Sequence, residues 1–466
     1  MNGLMNYMNV AMATDAGFTP SSTGRLIWAA LAGLAILLFL IIVLKLQAVI
    51  SILISAIIIG LLAGMPKDML INSISTGMGN TLKGIALLIG LGSMFGAILE
   101  VSGGAQVIAN TLLDKFGEKK AAWALGMAGL LIATPVFFDS GLIILIPLAF
   151  GLARRTKKST LYYAIPLLAG LAVGHAFIPP TPGPVLVASM LGVDLGYVIL
   201  CGAGVGLVAM IIGGPIFGKY CGNKYYVPAP EKVDQSKSFD ESKLPRFSTV
   251  VCLILIPLVL IILNSVTGVI PAFENTLHPI FAFIGEPFVA LIIAVVFAMI
   301  VLGIRHGYSK EELEKVMTKS LEPTGMILLV TACGGVLRYV LQDSGLGEVI
   351  GEAVSGRAMP LVVVAFIVAA LVRISVGSAT VAMTTAAGII AAMPGIANLS
   401  PLYLACVTMA IAGGATVCSH FNDSGFWLVK SLLRIDEKTT LKTWTVMETI
   451  VGGSGFLVAL IISFFV

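Results

Sequence analysis

The sequence predicts an all-α polytopic membrane protein built from two inverted repeats, each with a re-entrant helical hairpin and an interrupted transmembrane helix. Three observations lead there: the composition, a weak internal repeat, and the placement of the basic residues. Of 466 residues, 58% are hydrophobic and only 11% charged, with a mean hydropathy of +1.02. A soluble domain carries roughly 25% charged residues, so most of this chain is made to sit in lipid. The net charge of +4 says less than the positions of the charges.

The elements follow in order. The N-terminal segment, 1–23, lacks a basic n-region and a small-residue cleavage site, so the first helix is expected to anchor the chain uncleaved. Apolar runs of spanning length lie near 24–44, 46–64, 82–100, 158–178 and 196–217, making a first repeat over 24–218. A linker at 219–246, rich in Pro, Ser and mixed charge, reads as solvent-exposed and cytoplasmic. Runs near 247–268, 286–304, 322–342, 401–419 and 445–466 make the second repeat, 247–466. Each half also holds one awkward region. Residues 121–153 break at "PVFFDSG", and two spans would need roughly 40 residues, so a re-entrant hairpin is expected. Residues 359–395 break at "SVGSATVAM" and read the same way. The six cysteines show no paired spacing and mostly lie in apolar runs, which fits core packing rather than a disulfide or metal framework.

The repeat is visible in the letters. "GAILEVSGGAQVIA" at 96–109 aligns with "RYVLQDSGLGEVIG" at 338–351, and a similar offset carries His175 onto His420. With a hairpin entering and leaving on one side, each half makes five crossings, an odd number, so the second half is expected upside down relative to the first. With the linker in the cytoplasm, 22 of the 28 Lys and Arg fall in cytoplasmic segments, as the positive-inside rule requires. Both termini are then expected outside.

The chain therefore breaks four times at mid-membrane depth: at "PVFFDSG" (135–141), "HAFIPPTPGP" (175–184), "SVGSATVAM" (375–383) and "SHFNDSG" (419–425). Broken backbone within a bilayer is tolerated where it lines a polar cavity. Half-helix N-termini there suit an anion, Ser and Thr hydroxyls suit a polyol, and an intramembrane acid can carry a proton. The candidate substrate-binding residues are Asp139, Ser140, Thr181, Arg373, Ser378, Thr380, Asn422, Asp423 and Ser424. The candidate proton-coupling residues are Asp139, Asp423, His175 and His420. Arg373 could meet a substrate carboxylate or tie down carbonyls at the hairpin tip. Asp423 could bind or close an Asx turn, and Ser378 and Thr380 could bind or back-bond to the preceding turn. Arg338 and Asp343 read as snorkelling residues toward a helix end, and Glu100 as structural.

At these four breaks, and at "GMGNTLKGIALLIGLGSMFGAILEVSGGAQ" (77–106), the sequence resembles the gluconate permease family, from about residue 26 to the C-terminus. That resemblance implies proton symport of gluconate and related sugar acids, an inverted-repeat fold with paired hairpins, and often a homodimer. Carried over by motif, His175, Ser378, Thr380, His420, Asn422 and Asp423 match family positions. Two positions depart from the family. Thr181 stands where "PPHPGP" has histidine, and Asp139 stands in "FFDSG" where a pattern like "FYEVG" has glutamate.

A secondary transporter, coupled to H⁺ or alternatively to Na⁺, is thus the leading expectation, with a small organic anion as its solute and no cofactor. An intramembrane enzyme would need a metal or nucleophile motif, and no HExxH appears. A channel would show conductance rather than saturable coupled uptake. No GxxxxGK[ST] loop suggests a built-in ATPase, and nothing favours nucleic-acid binding.

Overall fold

The computed structural model describes residues 20–230, 244–346, 349 and 360–466. The N-terminal segment up to residue 19 and the middle of the linker, 231–243, lie outside the described residues, as do 347–348 and 350–359. Among the described residues, eight helices are long and apolar enough to cross a membrane, so the chain is an all-helical, multi-pass membrane protein.

Helices α1 (Thr23–Ile42) and α2 (Ala48–Ala63) form an antiparallel pair joined by the Ser55 hydroxyl, which donates to the Gly33 carbonyl at 2.8 Å. Gly64, at φ +87°, stops α2, a conformation that favours glycine. Next come α3 (Lys67–Val101) and α4 (Gly104–Phe116), then a helical hairpin of α5 (Ala121–Ala133) and α6 (Phe138–Thr156). Helices α7 (Leu161–Phe177) and α8 (Pro182–Leu191) are two pieces separated by residues 178–181. Helix α9 (Leu195–Ile211) runs through a π turn into α10 (Phe217–Lys224) and closes the first half.

The order of elements recurs. Helices α11 (Phe247–Val269), a short α12 (His278–Ile284), α13 (Pro287–Ala298) and α14 (Lys310–Asp343) precede a second hairpin of α15 (Leu361–Val376) and α16 (Ala379–Ala391). Helices α17 (Pro401–Gly414) and α18 (Ser424–Leu433) are again two separated pieces. The short α19 (Glu437–Thr440) and a π turn lead into α20 (Val446–Ser463). Arms α5 and α16 have 13 residues each, roughly 20 Å at 1.5 Å per residue, too short to cross a bilayer.

Two helices are longer than their apolar runs. Helix α3 begins at Lys67 rather than near 82, and α14 at Lys310 rather than near 322. Polar residues end a hydropathy run, but they do not end a helix if their side chains find partners. Here they find them across an antiparallel α3–α14 pair. Ser73 donates to Asp343 at 2.6 Å, Asn80 to Tyr339 at 2.7 Å, and Thr324 to Ser93 at 2.9 Å. The Ser309 capping box fixes the start of α14. The break before α18 also begins earlier than the motif suggests, since α17 ends at Gly414 and residues 415–423 are non-helical.

Small residues set the spacing, as expected where lipid supplies no hydrophobic drive between helices. A Cβ on Gly77 would lie 2.7 Å from the Gly335 carbonyl oxygen, so α3 and α14 touch backbone to backbone. A Cβ on Gly129 would lie 2.6 Å from Leu167 O, and one on Gly174 2.6 Å from Leu130 O, which presses α5 onto α7. Helix α7 and helix α17 are almost wholly buried, and each ends in one of the interruptions.

The basic loops gather at one end of the bundle. Arg155 pairs with Glu118, Lys115 lies 5.1 Å from the Phe247 ring centre, and Ser159 donates to the Tyr225 carbonyl at 2.7 Å. Tyr308 donates to Val101 O at 2.7 Å, which brings the 305–309 turn to the end of α3.

Gly77→Val should overpack the α3–α14 crossing. A loss of about 1–3 kcal/mol is expected, read as a lower midpoint in thermal unfolding of detergent-purified protein. An unchanged midpoint would mean that the two backbones are free to move apart.

Candidate functional site

The four breaks meet. Thr134–Phe137 at the first hairpin tip, His175, and Pro180–Pro182 line one narrow cleft, whose back wall is Ile89, Gly92 and Ser93 of α3. The cavity there is small in this conformation, about 10 Å³, and opens outward. On its other side the same hairpin tip faces the second half: the Phe138 and Trp444 rings lie 5.5 Å apart, and Asp139 is close enough to Asp423 to interact with it electrostatically. Gly183, at the start of α8, faces the Met383 thioether on α16. The ring closes between the second hairpin and the 415–423 break through Arg373 and Asp423.

That last contact is the most heavily bonded part of the site. Arg373 is 4% exposed, ion-paired to Asp423, and donates as well to the Gly377 carbonyl at the end of its own helix. Asp423 is the N-cap of α18, accepting from Gly425 N–H at 3.0 Å and from the Ser419 hydroxyl. Trp444 Nε1 donates to Ser419 at 2.7 Å, and Thr445 donates to the Ser419 carbonyl. The Ile374 carbonyl is met by His420 Nε2 at 3.0 Å and by Asn422 Nδ2 at 2.9 Å. Gly377, at φ +79°, packs against Asn422 so closely that a Cβ would collide with its backbone. Ser378 caps α16, accepting from Val381 N–H at 3.3 Å. Thr380 is half-buried, and Ser424 is exposed as the first residue of α18.

The first-half residues are less engaged. Among the described residues Asp139 has no hydrogen-bond or ion-pair partner; it is exposed in the first turn of α6, with Ser140 half-buried beside it. Thr181 is buried and donates to Ile178 O at 2.6 Å. His175 is half-buried, its ring 6.3 Å from that of Phe137, and among the described residues no group bonds its Nδ1.

Four helices start at the breaks: α6, α8, α16 and α18. Each N-terminus presents a positive dipole end, but Pro182 and Pro184 leave α8 only the Gly183 N–H in its first three positions, whereas α6 offers those of Phe138, Asp139 and Ser140. Ser378 and Asp423 cap α16 and α18, whereas Phe137 and Thr181 give α6 and α8 no side-chain cap. The backbone N–H groups of 138–140 meet no acceptor outside their helix among the described residues. An anion would find its best donors there.

Sequence reasoning missed one residue. Glu448, in the first turn of α20, is buried and interacts electrostatically with both Arg373 and Asp423. The signal was present, an acid within the last apolar run, and is the one that singled out Asp139 and Asp423. Among the described residues no group of three or more His, Cys, Asp or Glu could hold a metal ion.

Residues 25–465 match the GntP family permeases. The chain belongs to this family. It is a permease, a transport protein rather than an enzyme. It is 38% identical to the low-affinity gluconate transporter of Escherichia coli (strain K12), over 94% of this chain and 98% of that one. It is 35% identical to the Gnt-II system L-idonate transporter of the same organism, over 93% and 98%. It is 37% identical to the gluconate permease of Bacillus subtilis (strain 168), over 92% and 97%. In fold, the permease is similar to the YdaH transporter of Alcanivorax borkumensis, with a TM-score of 0.63 at 16% identity over 95% and 98% of the two chains. It is likewise similar to MtrF of Neisseria gonorrhoeae, with a TM-score of 0.65 at 15% identity over 94% and 97%.

Asp423→Ala should strand the buried Arg373. Breaking one side of a buried pair costs about 3–5 kcal/mol, so a clear fall in thermal midpoint is expected in detergent. If the midpoint holds, water reaches the guanidinium and the pair is not a structural tie.

Proposed function

We propose that this permease is a secondary active transporter that takes up gluconate or a related sugar acid together with protons across the cytoplasmic membrane. The observation that carries the reading is the uncapped N-terminus of α6, whose N–H groups at 138–140 start beside the cleft where the first hairpin meets the first interrupted helix. A sugar-acid carboxylate takes the N–H groups of 138–140, and the polyol chain takes hydroxyls of the Ser140 and Thr181 kind. Ser378, Thr380, Asn422, Ser424 and the Arg373–Asp423 pair form the facing wall. The sugar-acid names carried by relatives in two organisms support the substrate class.

The two halves, 24–218 and 247–466, form inverted repeats around a cytoplasmic linker at 219–246, with both termini outside. Helices α3 and α14 correspond at the offset of the sequence repeat, and they run antiparallel, which is what inversion demands of equivalent elements. The functional unit is a homodimer. Asp139 carries the proton: it is an acid at a membrane break with no structural partner, whereas Asp423 is held by three donors. His175 and His420, one at each interrupted helix, are the secondary proton-carrying groups of this reading.

Two measurements test this. In proteoliposomes, gluconate uptake should follow an imposed pH gradient and ignore a Na⁺ gradient. Asp139→Asn should abolish pH-driven accumulation while retaining counterflow. Accumulation equal to wild type would remove Asp139 from the coupling role, and uptake driven by Na⁺ alone would replace the proton. For topology, Thr156→Cys and Asp436→Cys, in a background lacking the native cysteines, should resist an impermeant thiol reagent in intact cells. Ready labelling of either would invert the orientation.

A further inference from the structure

Glu448 stands outside everything assigned so far. It is 5% exposed, and no protein group bonds its Oε1 among the described residues. It lies one helical turn after Trp444, and Thr449 lies one turn after Thr445. These four residues form the face that α20 turns toward the 415–423 break. Trp444 and Thr445 bond Ser419, and the Thr449 hydroxyl accepts from Cys418 N–H at 3.1 Å. Glu448 is thus held against the break, not toward lipid.

The charges around it are few. Helices α9 and α17, which pack along α20, carry no Asp, Glu, Lys or Arg, and only Tyr and Cys as titratable residues. Helix α7 adds two tyrosines and His175, and the π turn before α20 holds Lys442. Among the described residues, Arg373, from α15, and Asp423, from the break, are the charged groups that bear on Glu448 electrostatically. So one cation serves two carboxylates. Asp423 receives Arg373, Ser419 and the Gly425 N–H, while Glu448 Oε1 receives nothing. Arg373 still has its buried Nε unused.

We propose that Glu448 is a proton-holding group of the transport cycle, competing with Asp423 for the guanidinium of Arg373. While the Arg373–Asp423 pair is closed, a second carboxylate charge beside it would be buried without a cation or a donor, the costliest species in the cluster, and a proton on Glu448 removes that cost. When movement of the 415–423 segment parts Asp423 from Arg373, the guanidinium becomes available to Glu448. The O–H bond of Glu448 then breaks, the proton passes to water, and the carboxylate left behind pairs with Arg373. Proton release is thereby tied to opening of the break that carries Asp423.

This rests on the proton-symport reading above. The test uses full-length protein in proteoliposomes with gluconate, following solute uptake and internal pH together. Glu448→Gln fixes the group in its neutral shape. It should lose most of the accumulation driven by a one-unit pH gradient, worth about tenfold per proton, while counterflow exchange falls far less. Glu448→Asp keeps a titratable group set back by one methylene, and should restore accumulation with a displaced pH profile. Glu448→Gln that accumulates gluconate as wild type does overturns this inference alone. Should Glu448→Gln not yield monodisperse protein, Glu448→Asp with the wild-type pH profile overturns it equally. Wild type that takes up gluconate with no proton movement overturns the symport reading, and this inference with it.

Discussion

A peptide group inside a bilayer must find its hydrogen-bond partner within the protein, and this requirement shapes the whole molecule. A continuous helix meets it unaided; a broken one does not. The chain confines its breaks to the ends of α5, α7, α15 and α17, and two of these helices, α7 and α17, are almost wholly shielded by the rest of the bundle. It then supplies side chains for the orphaned carbonyls. Thr181 serves Ile178, Arg373 serves Gly377, His420 and Asn422 serve Ile374, and Thr445 serves Ser419. Many polar residues at the breaks therefore hold the backbone open before they meet any solute.

The two halves solve this problem unequally. In the second half, Ser378 and Asp423 cap the new helices, and a buried cation locks the hairpin to the 415–423 segment. A side-chain cap is worth about 1 kcal/mol, so the second-half breaks are closed structures in this conformation. In the first half Phe137, at the cap position of α6, leaves the N–H groups of 138–140 without a side-chain acceptor among the described residues, while Pro182 and Pro184 remove two of the leading N–H groups of α8. The second half thus holds a buried charge pair at its break, and the first half an uncapped helix start beside the cleft. Close backbone contacts such as Gly129 on Leu167 and Gly77 on Gly335 hold the continuous helices of the frame together.

The class of protein, the positions of the four breaks and most of the residues around them are legible in the letters. Composition alone excludes a soluble fold, because 11% charge cannot cover a water-facing surface of this size. Pro, Gly, Ser and Asp at "PVFFDSG", "PPTPGP", "VGSAT" and "SHFNDSG" cannot all be accommodated in continuous helix, so the interruptions are legible where they occur. Which break faces which, and what each polar group is already doing, depend on packing between distant parts of the chain. The true lengths of α3 and α14 depend on partners that are some 230–270 residues away, such as Ser73 with Asp343, and a hydropathy run carries no information about them. Asp139 and Asp423 sit in the same "DSG" letters, yet one is unpartnered and the other is held by Arg373, Ser419 and Gly425. Glu448 acquires meaning only when α20 is packed beside Arg373, 75 positions earlier in the chain. Local letters set where the backbone can break; long-range packing sets the charge each break carries.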